Sequence, residues 1–283
     1  MPKNFIITSE TELRSQVKRW RVKGKTIALV PTMGALHAGH LSLIAKAKQH
    51  ADKIVASIYV NETQFAEGED LDTYPRDHAN DCEMLRAAGC DLVYMPKKMY
   101  ADNHATTINI AGPALGLESE ARAHFFAGVA LIVTKLFNRV QPDLAVFGEK
   151  DYQQLLTIRR LTADLDMPVR ILAAPIIREA DGLAMSSRNK YFGDEAREIA
   201  GRLNVIMQKC AKKISQGADI KISTDKACQQ ILDAGFEHVD YMAVADANSL
   251  ALLTGHLTDT PARLLVAAHC QGVRLIDNCA LIR

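Results

Sequence analysis

Three groups of polar residues stand where apolar runs end. The first is PTMGALHAGH, residues 31–40, with His37 and His40 three positions apart. On a helix that spacing brings two imidazoles to similar faces. Neutral imidazoles donate hydrogen bonds to phosphate oxygens, and Gly34 and Gly39 let backbone approach a ligand. The second is FGEKDYQQL, residues 147–155. Lys150 can neutralise a phosphate there, and the carboxamides of Gln153 and Gln154 can bind a hydroxyl or a carboxylate. The third is MSSRN, residues 185–189, two hydroxyls and a guanidinium in a polar, turn-rich stretch suited to a mobile phosphate clamp. Each group also has a plain reading. The histidines fit an ordinary surface or core, Glu149 and Asp151 fit a helix start that favours acids, and MSSRN fits an interdomain linker. Zinc is a further rival for the histidine pair, but no carboxylate or cysteine follows at a fitting distance.

Such groups need a scaffold that brings them to one side. KTIALVPT reads as a strand buried on both faces, which suggests a parallel sheet covered by crossover helices. Ser9 with Glu12 opens a helix over 10–23, and GHLSLIAKAKQHA, DHANDCEMLRAAG, GVALIVTKLFNRV and KDYQQLLTIRRLTADL read as further helices. DKIVASIYVN, CDLVYM, LAVFG and VRILAAPII read as strands between them, and TTINIAG as a short strand. Strand and helix alternate, so the expected fold is α/β, a doubly wound, Rossmann-like parallel sheet. After Ile177 the texture changes. Helices over 194–216 and 223–234 precede the strands HVDYMAVAD, ARLLVAAHC and VRLIDNCALI, a smaller C-terminal α+β domain. The expected domains are 1–177 and 178–283. In a parallel sheet, ligands bind beyond the carboxyl ends of strands, where PTMGALHAGH and FGEKDYQQL both lie. The first turn of a helix near Ala38 adds unpaired N–H groups for a phosphate.

The 283 residues carry 34 basic and 33 acidic side chains, a net charge of +1. That balance predicts neither a nucleic-acid groove nor a polybasic membrane face. No apolar run reaches the length of a membrane span, and MPKNFIITSETEL lacks the apolar core of a secretion signal. The six cysteines form no C-x-x-C pair and read as reduced thiols, so a cytoplasmic protein is expected.

The order of the three groups resembles the nucleotidyltransferase superfamily that includes class I aminoacyl-tRNA synthetases. His37-Ala38-Gly39-His40 matches its HIGH element and Met185-Ser186-Ser187-Arg188 its KMSKS element. LVPTMGALHAGHLSLI, SIYVNETQF, YPR, QPDLAVFGEKDYQQL, PIIREADGLAMSSRN and RLIDN narrow this, and the chain from about residue 25 resembles the pantothenate synthetase (pantoate–β-alanine ligase) family. The resemblance implies that ATP and (R)-pantoate form pantoyl-adenylate and pyrophosphate. The amine of β-alanine then attacks the acyl carbon to give pantothenate and AMP. It implies catalytic roles for His40, His37, Lys150 and Arg188, with His40 as proton donor, although electrostatic stabilisation explains that requirement equally well. It implies an ATP site of Met33, Gly34, Ala35, Leu36, His37, Ala38, Gly39 and His40, with Gly148, Glu149, Lys150, Asp151, Ile177, Met185, Ser186, Ser187 and Arg188. Gln64 and Gln154 would hold pantoate, Gln64 would border β-alanine, and Asn61 would order that loop. Mg²⁺ would ride mainly on the ATP phosphates, and the enzyme would be a homodimer.

Two departures from the family pattern stand out. Glu62 replaces the proline of VNPTQF, which removes a fixed φ beside Gln64. In LESEARAHFFAG, Ser119, Ala123, His124 and Phe125 replace Gly, Pro, Gly and His, so either His124 takes over through a backbone shift or this wall of the acid-binding pocket differs. Rival readings are a related nucleotidyltransferase with a phosphorylated substrate, which would need a second basic site, and an inactive nucleotide binder. A tRNA-binding role lacks the basic surface it requires.

Overall fold

The computed structural model describes residues 5–66 and 68–282. The MPKN that opens the amino-terminal stretch lies outside them. In chain order the elements are β1 (Ile6–Ile7), α1 (Glu10–Val22), β2 (Ile27–Thr32), α2 (Ala38–Lys48), β3 (Lys53–Ile58), α3 (His78–Ala87), β4 (Leu92–Tyr94) and α4 (Glu118–Ala121). There follow α5 (Phe125–Val140), β5 (Leu144–Gly148), α6 (Tyr152–Asp164), β6 (Arg170–Ala174), α7 (Asp194–Ser215), α8 (Ile220–Asp233), β7 (His238–Asp246), β8 (Ala262–Cys270) and β9 (Val273–Leu281). The chain divides into two compact units. The first comprises Met1–Ala111, Arg122–Glu149 and Thr157–Pro175, the second Gly112–Ala121, Lys150–Leu156 and Ile176–Arg283.

The first unit holds a six-stranded parallel sheet in the order β1-β4-β3-β2-β5-β6. Ala28, Val30, Ile54 and Ala56 pack with Leu43, Ile44 and Leu85 of α2 and α3. The alternate residues Ile27, Leu29 and Val55 are also fully buried, so both faces of the central strands are covered. α1 starts where Ser9 accepts the Glu12 N–H, and it buries Leu13, Val17 and Trp20 along one stripe. The strand order reverses at β2, whose neighbours are β3 and β5. The chain segments leaving β2 and β5 therefore emerge side by side at the carboxyl end of the sheet, the usual ligand position in doubly wound folds.

In the second unit α7 and α8 pack on an antiparallel sheet ordered β7-β8-β9. Leu203, Met207, Ile214, Ile231, Leu264 and Val266 are its core. Gln271 and Gly272 both take positive φ, +48° and +73°, the backbone of a two-residue hairpin. α8 begins at Ile220, earlier than its apolar pattern predicts, because Asp219 accepts the Ile222 N–H at 2.9 Å.

TTINIAG is not a strand. Residues 106–111 are mostly exposed and no strand pairs with them, so β-prone side chains have no ladder to join. Conversely, β1 is a two-residue edge strand that the sequence did not reveal. Among the described residues, no helix is long and apolar enough to cross a membrane.

Candidate active site

In the first unit, the loop from β2 to α2 is built on a buried acid. Asp81 of α3, 1% exposed, accepts the N–H groups of Ala35 at 3.0 Å and Leu36 at 2.8 Å. Ala35 sits at φ +51°, a conformation uncommon for a residue with a side chain. Gly34 sits at φ +86°, and a Cβ there would lie 2.9 Å from Asp81 Oδ2. Glycine is thus required twice over, for its φ and for its lack of bulk.

This loop delivers the histidines to the start of α2. His37 is the helix cap, and its Nδ1 accepts the Gly39 N–H at 3.1 Å. His40 Nδ1 accepts the His37 N–H at 3.3 Å, closing a reciprocal capping box. The ring centroids are 4.1 Å apart. A backbone N–H can only donate, so each Nδ1 is an acceptor and each neutral ring carries its proton on Nε2. Both imidazoles are therefore held in the tautomer that donates from the side away from the backbone.

Gln64 ends a 3-10 turn over Glu62–Gln64, whose cap is Asn61. Asn61 is 1% exposed, and its Nδ2 donates to Gln64 Oε1 at 3.1 Å and to the Gly128 carbonyl at 3.2 Å. Gln64 Nε2 donates to Met33 Sδ at 3.0 Å, which links the glutamine to the histidine loop. Arg122 grips Glu69 through two bonds of 2.7 and 2.6 Å and donates to the Gln64 carbonyl at 3.1 Å. Gly148 and Glu149 leave β5, the sheet neighbour of β2.

The second unit carries the other predicted groups. Lys150 Nζ lies 3.7 Å from Asp151, and the Lys150 carbonyl accepts from Asn278 Nδ2 at 2.9 Å. Gln153 is 3% exposed and structural. Its Oε1 accepts the Glu118 N–H, and its Nε2 donates to the carbonyls of Pro113 and Gly116, all at 3.0 Å. Gln154, by contrast, is half-buried. Ile177 accepts the Met185 N–H at 3.0 Å, so the hairpin leading to MSSR closes on it. Arg178 in this hairpin pairs with Asp277 of β9 at 2.6 and 3.0 Å, and Asp277 is 2% exposed. Ser186 caps the 3-10 turn Ser187–Tyr191 by accepting the Arg188 N–H at 3.3 Å. Ser187 is buried and Arg188 half-buried. The late RLIDN motif therefore anchors both the Lys150 backbone and the MSSR hairpin.

A family model described as pantoate-beta-alanine ligase matches residues 5–280. The chain belongs to the pantoate–β-alanine ligase family. A pantothenate synthetase from Maricaulis maris is 50% identical over 275 residues, covering 96% of this chain and 95% of that protein. The crystal structure of pantothenate synthetase from Thermus thermophilus is 38% identical with a TM-score of 0.91, over 98% of this chain and 99% of that one. A pantoate-β-alanine ligase from Francisella tularensis, solved with β-γ ATP and β-alanine, is 31% identical with a TM-score of 0.83, over 98% of this chain and 97% of that one. The activity is that of an AMP-forming ligase of pantothenate biosynthesis. It condenses (R)-pantoate with β-alanine at the expense of ATP, through a pantoyl-adenylate.

Both departures from the family pattern have a structural outcome in this ligase. Glu62 is exposed and accepts a hydrogen bond from the Tyr59 hydroxyl at 2.8 Å, which anchors the turn where proline would have fixed it. Phe125 is buried beneath Arg122, whose guanidinium carbon lies 4.0 Å from the ring centroid. His124 is exposed and makes no side-chain cap for α5. An aromatic ring thus fills the position where the family pattern has an imidazole.

Sequence reasoning missed Asp81, and it gave Arg122 no role beside Gln64. Asp81 left a signal, an acid adjoining the apolar stripe Cys82 and Leu85 of α3. Arg122 aligns with the family pattern in LESEARAHFFAG, but its partners Glu69 and Gln64 lie more than fifty residues earlier.

Proposed function

We propose that the histidine pair and Lys150 carry the adenylation step in this chain. A carboxylate is a poor acyl donor, because oxide leaves badly. A pantoate carboxylate oxygen attacks the α-phosphorus of ATP, and pyrophosphate departs. Charge on the phosphate oxygens is then met by Nε2–H of His37 and His40, by Lys150 and by Arg188. The carrying observation is the reciprocal cap, which holds both imidazoles as Nε2 donors before any substrate arrives.

The backbone of Met33 to His40, with Gly148, Glu149, Asp151 and Ile177, is assigned to ATP, and Ser186 and Ser187 to its phosphates. Gln64 and Gln154 are assigned to pantoate, and Gln64 to the border of the β-alanine site. Asn61, bonded to Gln64, supports the loop-ordering role. The β-alanine amine attacks the acyl carbon, and AMP leaves. Residues 1–177 would bind nucleotide and pantoate, and 178–283 would supply the MSSR lid. Among the described residues no group of three or more His, Cys, Asp or Glu side chains is arranged to hold a metal ion. Mg²⁺ would ride mainly on the ATP phosphates, where it would neutralise their charge. A homodimer in the cytoplasm completes the reading.

The test is purified protein with Mg-ATP and (R)-pantoate, with and without β-alanine, followed for pyrophosphate, AMP and pantothenate. Equal yields of AMP and pantothenate, only with all three substrates, are expected. Pyrophosphate without pantothenate would place the fault in amine capture, and no pyrophosphate would overturn the reading.

A further inference from the structure

We propose that Tyr100 is a positioning residue for pantoate, setting the direction of the Gln64 carboxamide through Asn61. The proposal rests on the assignment of Gln64 to pantoate.

The Asn61 side chain makes four bonds, and their chemistry leaves it one orientation. The Gly128 carbonyl can only accept, so the Asn61 nitrogen must face it. Asn61 Oδ1 then faces two hydroxyls. Tyr100 donates to it at 2.6 Å and Thr63 at 3.1 Å. The same Asn61 nitrogen that faces Gly128 also reaches Gln64 Oε1. A carboxamide carries its acceptor and its donor on one rigid plane, so fixing Oε1 makes Nε2 the outward donor. That donor rests on the Met33 thioether, a weak acceptor that a substrate carboxylate or hydroxyl oxygen readily displaces.

Tyr100 is the firmest of these contacts. It is 8% exposed, with the His104 ring 5.1 Å from its own and Lys135 Nζ 5.4 Å from its centroid. Burial pushes its phenol up to about 12, so it stays a hydroxyl donor across any assay range. Without that hydroxyl, Asn61 keeps only Thr63 on its oxygen side. Gln64 is then freer to turn its oxygen outward, where it would repel a carboxylate.

The experiment measures steady-state pyrophosphate release for wild type, Tyr100→Phe, Gln64→Ala and the double variant, at 10 °C so that a lowered melting temperature does not intervene. Tyr100→Phe is expected to raise the KM for pantoate about tenfold, equivalent to roughly 1.4 kcal/mol, with the KM for ATP unchanged. In the Gln64→Ala background the same substitution should add nothing further, because coupled residues are not additive. A residue that merely stabilised the fold would shift both KM values and act equally in both backgrounds. Either that pattern, or a Tyr100→Phe enzyme with the wild-type pantoate KM, would overturn the relay while leaving the ligase assignment standing. A wild-type protein that releases no pyrophosphate from pantoate and ATP would overturn both.

Discussion

Asn278 holds the carbonyl of Lys150 through a 2.9 Å hydrogen bond, so the last strand of the chain fixes a residue 128 positions earlier. The contact orients backbone and leaves the lysine ammonium to its own chemistry. Asn278→Ala removes one hydrogen bond, worth about 1 kcal/mol. The expected result is an ATP KM raised about fivefold with pantoate KM unchanged, read from an ATP titration of pyrophosphate release. An unchanged ATP KM would detach Asn278 from nucleotide binding.

The capping role of His37 and its proposed role at phosphate can be separated by substitution. Asparagine is a good helix cap and alanine a poor one, differing by about 1 kcal/mol. His37→Asn is therefore expected to match the wild type in urea unfolding, and His37→Ala to fall below it. Both should lose at least about a hundredfold in kcat, the scale of a lost donor to developing charge. Restored activity in the asparagine variant would mean that capping, and not the Nε2 donor, is the requirement.

Phe125 lies beneath Arg122, which donates to the Gln64 carbonyl, so the ring borders the surroundings of Gln64. Phe125→His is expected to shift the KM for pantoate or β-alanine by about threefold or more, the effect of roughly 0.7 kcal/mol. The maximal rate of adenylation should stay within about twofold of wild type. Substrate titrations of both half-reactions decide it. A large fall in adenylation with normal KM values would show that this wall serves the chemistry itself.

The buried thiols give a pH signature. Burial pushes Cys90, Cys210 and Cys270 up to about 11, against an ordinary 9.0. Their folded forms hold protons that the unfolded chain would release. This contribution to stability is full below pH 9 and declines as pH rises towards 11. Alkylation by iodoacetamide at pH 7.5 should therefore be slow in the native protein and fast in urea, with ligase activity retained during the native treatment. Mass spectrometry of tryptic peptides reads the difference. Rapid native labelling of Cys90 would show the thiol to be less shielded than its burial implies.

The alternation of strand and helix was legible because β2, β3 and β5 are apolar at consecutive positions and the helices are apolar at helical spacing. The candidate groups after β2 and β5 were legible as polar residues at strand exits. What holds those residues was not. Gln153 and Gln154 are neighbours of identical type, yet one ties down residues 113–118 and the other does not. Only tertiary contacts separate them. TTINIAG has strand-like composition without a partner strand, and β1 has a partner with too few residues to show a pattern. Asp277 and Asn278 belonged to a recognisable motif, but their partners, Arg178 and Lys150, lie about a hundred residues or more away in sequence.

Gly128 has no side chain to offer, and α5 approaches the Gln64 turn because of that. A Cβ there would overlap the Thr63 carbonyl and come within 2.8 Å of the Gln64 nitrogen. Every substitution at this position thus adds a Cβ against the backbone of Thr63 and Gln64. The turn that carries Gln64 inherits its mutational fragility from a position with no side chain of its own. A lineage adapting to another acid could vary Phe125 at the cost of an altered KM, while residue 128 would stay closed to it.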